Sequence, residues 1–177
     1  MSRSLPNIII TGTPGTGKSL HSQKLAELLP KHSLVSINKF IETHDLTDGY
    51  DEERQSKTVD EDKLVDLIEP QLEKGGQIID WHVCDIFPVN LIDLVVVLRT
   101  STNRLFDRLK EREYGSIKLN DNMDAEIMQE ILQDARESFE PEIVIELHSN
   151  DESDLQSNCD RISSWVAQWV IDNAEED

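Results

Sequence analysis

The sequence predicts an α/β fold built on a central parallel sheet of five strands. Short apolar runs alternate along the chain with segments of helical periodicity, which is typical of such sheets. The runs are nearly continuous, as expected for strands that are covered on both faces, and a glycine-rich segment follows the first of them. The predicted strands are 7–11, 33–37, 77–80, 94–98 and 143–147. The predicted helices are 18–29, 60–74, 102–112, 123–138 and 153–173.

Each element is assigned from the spacing of its apolar and charged residues. Three consecutive isoleucines form the first predicted strand, a run that closes on Asp80 forms the third, and the apolar stretch 94–98 forms the fourth. The helix 102–112 has arginines at every fourth position, on one face. In the last helix, three- and four-residue spacing predicts a core-facing stripe of Leu155, Cys159, Ile162, Val166 and Trp169.

The charge of the chain is strongly negative and unevenly distributed. The 177 residues include 36 acidic and 17 basic side chains, for a net charge of −19, and residues 121–177 alone carry 17 acidic and 2 basic ones. A broad surface for duplex nucleic acid needs clustered basic residues, so none is expected here. The acidic end is suited either to solvation alone or to a basic protein partner.

Length and composition restrict the class of protein further. The length fits a single domain over 1–177. No apolar stretch approaches the roughly 20 residues that span a bilayer, and residues 1–6 lack the apolar core of a signal peptide, so no membrane association is expected. Cys84 and Cys159 lack partners at zinc-binding spacing, and we expect reduced thiols in an intracellular protein.

Two polar segments, 42–59 and 113–122, lack the apolar periodicity that would place them in the core. The first follows the second predicted strand, and the second follows the helix after the fourth strand. Two interpretations remain open: mobile flaps over a ligand site, or ordinary surface loops.

The segment directly after the first predicted strand matches the phosphate-loop pattern G-x-x-x-x-G-K-[ST] in full, with the required helix behind it. Gly15 and Gly17 allow backbone N–H groups to turn inward around an anion, and the helix adds its positive N-terminal end. Lys18 is predicted to reach β- and γ-phosphate oxygens as a catalytic residue, and Ser19 Oγ to ligate Mg²⁺. The motif is Gly12-Thr13-Pro14-Gly15-Thr16-Gly17-Lys18-Ser19.

A carboxylate for the metal is expected at the end of a neighbouring strand. Asp80 closes the third predicted strand, at the edge where open α/β sheets bind ligands, and is predicted to hold Mg²⁺ directly or through water. A capping or turn aspartate is the alternative. His82 is a catalytic candidate that orients the attacking water or relays a proton; a purely local hydrogen bond is the alternative.

Phosphoryl transfer also needs a cation that neutralises charge developing on the γ-phosphoryl group. Arg104, Arg108 and Arg112 share one face of the helix that leads into the second polar segment. Arg112, at the hinge, is the best candidate for a catalytic arginine that closes on the nucleotide, and Arg108 is the second. The alternative is an ordinary solvated face with acidic partners.

These segments resemble the adenylate kinase isoenzyme 6 family, also described as coilin-interacting nuclear ATPases, over essentially the whole chain. The most specific match is Asp80-Trp81-His82 after the third strand of so short a chain. Further matching segments are Gly49-Tyr50-Asp51-Glu52, Val59-Asp60-Glu61-Asp62, Phe87-Pro88, Val97-Leu98-Arg99, Asp124-Ala125-Glu126-Ile127 and 158–165.

The resemblance implies a three-layer nucleoside-monophosphate-kinase fold, with a small NMP-binding flap at about 36–59 and a short LID at about 111–121. It implies ATP and Mg²⁺ as ligands and assigns Asp80 and His82 as a Walker B-type pair. The ATP contacts that it implies are Gly15, Gly17, Lys18, Ser19, Leu20 through its backbone, and Arg112. We also expect Thr16 of the phosphate loop and Arg108 to contact ATP.

The resemblance also implies a biological role. The family is described as having adenylate kinase and ATPase activities and as assisting late maturation of the small-subunit precursor with a small-subunit ribosomal protein. ATP and ADP are therefore the expected ligands, AMP is a candidate acceptor, a basic ribosomal protein is the expected partner, and nucleus and cytoplasm are the expected locations. Three hypotheses follow: an ATPase that serves ribosome assembly, a genuine monophosphate kinase that uses AMP or dAMP, and a nucleotide-sensing module with negligible turnover.

The chain departs from the family pattern at four residues in three segments. Glu42 stands in the flap where a basic residue is common, Val89-Asn90 stand in place of Glu-Arg, and Glu113 replaces a glycine of the LID. A carboxylate in the flap repels a monophosphate unless Lys39 or Arg54 compensates. The sequence therefore predicts intact ATP binding and weak use of AMP.

Overall fold

The computed structural model describes residues 2–174, which form alternating strands and helices. The strands are β1 (Ile8–Thr11), β2 (Ser33–Ser36), β3 (Thr47–Asp51), β4 (Ser56–Val59), β5 (Gln77–Asp80), β6 (Leu94–Arg99) and β7 (Val144–His148). The helices are α1 (Lys18–Leu28), α2 (Ile37–Thr43), α3 (Glu61–Lys74), α4 (Thr102–Glu111), α5 (Ser116–Ile127), α6 (Glu130–Ser138) and α7 (Glu152–Ala174).

Five of the strands form one parallel sheet in the order β2-β5-β1-β6-β7. The central strand β1 places Ile8 opposite Ile78 on β5 and opposite Leu94 on β6. The predicted fold class and its five-stranded parallel sheet are confirmed. Because parallel strands end at the same edge, the phosphate loop after β1 lies beside Asp80 at the end of β5.

Helices cover both faces of the sheet, and each face has its own apolar core. On one face, α1 and α7 pack on the sheet through Leu25, Cys159 and Ile162. On the other face, α3 and α6 pack through Leu64 and Leu132. The fold therefore has three layers. The stripe predicted for the last helix is largely confirmed, since its central residues are buried and its two ends are half-buried.

The two polar segments contain more regular structure than their composition predicts. The first holds the end of α2 and an antiparallel hairpin of β3 and β4 that stands apart from the main sheet. The second contains the start of α5, whose Leu119 and Met123 pack against α4. The prediction of one helix over 123–138 is wrong, because Gln129 has a φ of 58°. This left-handed residue turns the chain and separates α5 from α6.

The cysteines are free and buried, and burial raises the pKa of Cys84 to about 12 and that of Cys159 to about 11. Within residues 2–174, no helix has the length and apolar character to cross a bilayer. The same residues contain no group of three or more His, Cys, Asp or Glu side chains arranged to hold a metal.

Candidate active site

The phosphate loop wraps around the N-terminal end of α1, as its motif predicts. Gly15 and Gly17 have φ values of 95° and 93°, in the left-handed region that favours glycine. A Cβ on Gly15 would lie 2.9 Å from Leu105 Cδ1 on α4. Thr16 donates to Thr13 O through its backbone N and its Oγ1, at 3.2 and 2.8 Å. These contacts hold the loop in a shape that suits an anion at the helix N-terminus.

Lys18 lies folded back over this loop. Its Nζ donates to Gly12 O at 3.0 Å and to Thr13 O at 3.2 Å. Burial lowers the pKa of Lys18 to about 8, while nearby Asp80 opposes the shift. The ammonium is thus held by weak carbonyl acceptors and is ready to exchange them for phosphate oxygens.

Ser19 and Asp80 bring two oxygen ligands together. Ser19 Oγ donates to Asp80 Oδ2 at 3.2 Å, although the two residues are 61 positions apart in sequence. Burial raises the pKa of Asp80, and the positive charge of Lys18 partly offsets this effect. A hydroxyl and a carboxylate beside a phosphate cradle are the donor set that Mg²⁺ takes up with a nucleotide, so these residues fit the predicted ion.

His82 lies just beyond Asp80, with its ring edge-on to Trp81 at 5.4 Å between centroids. Burial, with added repulsion from Lys18 and Lys118, lowers the pKa of His82 to about 4. The imidazole is therefore neutral at physiological pH. Within residues 2–174, neither ring nitrogen is hydrogen-bonded to the protein, so one nitrogen can accept a proton and the other can donate.

Arg108 is bound to the protein itself. Its Nη1 donates to Gly15 O at 3.2 Å, to Thr100 Oγ1 at 3.2 Å and to Ser149 O at 2.9 Å, and Nη2 donates to Asn150 O at 3.0 Å. The guanidinium thus ties α4 to the phosphate loop and to the loop after β7. Its predicted contact with ATP stays a prediction, since these four bonds occupy two of its nitrogens.

Arg112 is placed differently from Arg108. It is the C-terminal cap of α4 and is exposed. Its side chain forms no ion pair with the residues that the structure describes, yet it is near enough to Lys18 to lower that lysine's pKa. Arg112 is therefore an exposed cation near the phosphate loop, and its role as the arginine that closes on the nucleotide stays a prediction. Leu20 on α1 is 62% exposed, and its predicted backbone contact with ATP also stays a prediction.

The flap carries the predicted mixture of charges. On α2, Glu42 and Lys39 are both exposed, and on the hairpin the guanidinium of Arg54 lies 3.9 Å from Asp51. The flap tip reaches the LID, since a Cβ on Gly115 would lie 3.0 Å from Gln55 Oε1. The two polar segments therefore contact each other, and their interpretation as mobile flaps stays a prediction.

A hydrogen-bonded link behind the phosphate loop was not predicted. His21 Nδ1 lies 2.7 Å from Gly17 O, and His21 Nε2 lies 3.1 Å from Asn158 Nδ2 on α7. Because a carbonyl only accepts and this amide nitrogen only donates, we assign a neutral imidazole protonated on Nδ1. The link fastens the loop to α7. Within the sequence, its only sign is a histidine and an asparagine among the residues of the two helices that turn out to be buried.

Acidification is expected to destabilise the protein through His21. Burial lowers the pKa of His21 below its ordinary value of 6.5, so at lower pH the unfolded chain takes up a proton that the folded chain does not. The contribution of neutral His21 to the free energy of unfolding is fully present above pH 6.5. It is lost as the pH falls below 6.5 and through the lowered pKa of the folded state. Urea titrations at about pH 7.5 and 5.5 should show a smaller loss of unfolding free energy in His21→Gln than in the wild type. If the wild type and His21→Gln lose the same unfolding free energy between the two pH values, the lowered pKa of His21 is contradicted.

A complete phosphate loop, a strand-end aspartate beside its serine and a parallel β2-β5-β1-β6-β7 sheet define a P-loop nucleotide-binding protein of the kinase type. A family described as an AAA domain matches residues 8–129. Among solved structures, shikimate kinase from Bacteroides thetaiotaomicron is similar with a TM-score of 0.59 at 14% identity, covering 92% of this chain and 99% of the other. A gluconokinase from Sinorhizobium meliloti has a TM-score of 0.52 at 14% identity, covering 95% and 99%. These similarities concern the fold alone.

Closer relatives are found among sequences. The adenylate kinase isoenzyme 6 homolog of Candida albicans is 52% identical over 93% of this chain and 70% of its own length. The homolog of Saccharomyces cerevisiae is 50% identical over 93% of this chain and 84% of its own, and that of Schizosaccharomyces pombe is 48% identical over 94% and 95%. The chain belongs to the adenylate kinase isoenzyme 6 family. It is an adenylate-kinase-like P-loop protein that binds nucleotide.

Proposed function

We propose that this protein is a Mg²⁺-dependent enzyme of the adenylate kinase type that hydrolyses ATP and acts in small-subunit ribosome maturation through a basic ribosomal protein. The observation that carries the hydrolytic part is the state of His82. It is a neutral imidazole without a protein hydrogen bond among the described residues, two positions after Asp80 and near Lys18. One nitrogen of such a neutral ring can accept a hydrogen bond from an attacking water and take its proton, although a pKa of about 4 makes it a weaker base than an ordinary histidine.

We assign the following roles to these residues in ATP hydrolysis. Water attacks the γ-phosphorus, the bond from that phosphorus to the bridging oxygen breaks, and ADP leaves. His82 accepts the proton of the water, while Lys18 and Arg112 stabilise charge on the phosphoryl oxygens. Ser19 and Asp80 would hold Mg²⁺, which supplies charge neutralisation on the β- and γ-phosphates when bound.

A complete product balance tests this function. ATP, ADP, AMP and inorganic phosphate are followed together in the presence of Mg²⁺, with and without added AMP, for the wild type and Lys18→Ala. We expect phosphate release without AMP and little change of ATP loss on adding it. Conversion of ATP and AMP to ADP with little free phosphate would instead support a monophosphate kinase. Nucleotide binding without either product would support a sensing module.

Monophosphate kinase activity is the second candidate, and the flap favours it as a secondary reaction. The hairpin of β3 and β4 and helix α2 form the segment proposed as the NMP-binding flap, and relatives of this chain are named adenylate kinases. In that proposed flap the exposed Glu42 opposes the positive charge of the exposed Lys39 on the same helix. Repulsion by this carboxylate supports weak binding of AMP or dAMP.

The proposed partner is a basic ribosomal protein, with the small-subunit precursor reached through it. Exposed carboxylates crowd the surface around α6, where burial and the neighbouring Asp85, Glu137 and Glu130 raise the pKa of Asp134. Such crowding of like charge attracts a cationic surface. Binding of a basic small-subunit ribosomal protein should weaken steeply with salt; a tight complex insensitive to salt would contradict charge-led binding.

Nucleus and cytoplasm are the proposed locations, which imaging of the tagged protein tests.

A further inference from the structure

A buried ion pair joins the base of the LID to the central sheet. Arg99, the last residue of β6, donates through Nε to Glu126 Oε1 and through Nη2 to Glu126 O at 2.9 Å. Its Nη1 lies 3.4 Å from Glu146 on β7. The side chains of Arg99 and Glu126 are 15% and 5% exposed. The two segments 97–99 and 124–127, which are distant in sequence, therefore meet at one guanidinium.

This pair is one of two anchors at the ends of the LID. Arg108 fastens α4 to the phosphate loop, and Glu126 fastens the end of α5 to β6. Between the anchors, Tyr114 and Leu119 pack on α4, and Arg112 projects at the turn. The position of Arg112 relative to the phosphate loop is thus set by both ends of the LID.

We propose that Arg99 and Glu126 are positioning residues for catalysis: they fix α5 on the sheet so that the LID delivers Arg112 to the transferred phosphoryl group. The inference rests on the ATP turnover proposed above. Their hydrogen bonds join α5 to β6 and do not reach the phosphate loop, although the Glu126 carboxylate is near enough to Lys18 to raise that lysine's pKa. Their proposed action is through the placement of the helix that follows Arg112.

A general argument and one observation favour this role over a purely structural one. Replacing a buried ion pair by well-packed apolar residues of similar volume is often neutral for stability, so the presence of such a pair is weak evidence of a structural need. In addition, Glu126 Oε2 is buried and has no hydrogen-bond partner among the described residues, which is unfavourable for folding. Thr13 of the phosphate loop and Glu126 line the same shallow hollow. The buried carboxylate of Glu126 lowers the stability of the fold and lies beside the phosphate loop, so we attribute its presence to a requirement of catalysis.

The double variant Arg99→Met/Glu126→Leu tests the proposal, because it removes both charges together. We expect a melting temperature close to that of the wild type and ATP affinity within about threefold, with turnover reduced by about 10- to 100-fold through misplacement of Arg112. ATP should also protect backbone amides of 112–121 from hydrogen exchange in the wild type but not in the variant. Glu146→Gln is the matched control, since it alters the exposed acceptor of the same guanidinium and should leave turnover unchanged.

A second variant keeps the test decisive if the double variant does not fold. Arg99→Lys retains the charge but loses the fork that holds both Oε1 and the backbone carbonyl of Glu126, and its turnover should fall about tenfold. Wild-type turnover and wild-type amide protection in either folded variant would overturn the proposal. Absence of phosphate release from the wild type would refute the proposed hydrolysis instead, and the amide protection would still test the anchor.

Discussion

Lys18→Ala is expected to lower ATP turnover by about 10²- to 10³-fold and to weaken ATP binding. The ammonium of Lys18 is the charge built into the phosphate loop, and its present acceptors are the carbonyls of Gly12 and Thr13. Alanine removes this donor from both carbonyls, of which Thr13 O still accepts from Thr16, and it offers nothing to the β- and γ-phosphates. Binding is measured by calorimetry and turnover by phosphate release. Lys31→Ala, an exposed lysine beyond α1, is the matched control and should behave as the wild type.

The same lysine predicts a pH dependence. Because burial lowers the pKa of Lys18 to about 8, the free protein loses this positive charge as the pH rises through that value. Only the protonated form attracts phosphate, so ATP affinity should fall in the alkaline range in the wild type. In Lys18→Ala the dependence should be flat. An affinity that rises with pH would contradict the role of Lys18.

His82→Ala is expected to reduce hydrolysis about 10²-fold with little change in ATP affinity. The side chain has no protein hydrogen bond in the described residues that its loss would break, so its contribution is expected in the proton transfer. The measurement separates the dissociation constant for ATP from the single-turnover rate. Because the pKa of His82 is about 4, hydrolysis by the wild type should not titrate with this group between about pH 6 and 8.

His32→Ala is the control. His32 is a buried histidine whose pKa is also lowered by burial, but it lies just before β2, at the opposite end of the parallel strands from Asp80. It should affect stability and leave the single-turnover rate near that of the wild type. If His82→Ala hydrolyses ATP at the wild-type rate, the imidazole is a structural group and water is activated by other means.

The architecture was predictable because it depends on patterns that survive in a single sequence. Continuous apolar runs define buried parallel strands, and the phosphate loop fixes which strand is central. The same patterns predicted one helix over 123–138, where the structure has the two helices α5 and α6. No local signal identifies Gln129 as left-handed, and α5 buries too few residues for its periodicity to show in the polar segment before Met123.

The site was predictable where one motif contains the whole arrangement, and less so where side chains converge from distant elements. Ser19 and Asp80 follow from the rule that parallel strands end together. The difference between Arg108 and Arg112 does not follow from sequence, because both repeat on one helix face; only the fold shows that one is bound to carbonyls and the other is free. Glu126 is equally hidden, since its partner lies on β6.

The central claim, that water is the acceptor of the γ-phosphoryl group, is tested most directly with isotopically labelled water. Wild-type protein, Mg²⁺ and ATP are incubated in water enriched in oxygen-18 without AMP, and the phosphate formed is examined by mass spectrometry, with Lys18→Ala as the blank. We predict inorganic phosphate that carries one labelled oxygen and ADP that carries none. Failure to form labelled phosphate, while ATP and AMP are converted to ADP in a parallel sample, would contradict the claim and identify the protein as a monophosphate kinase.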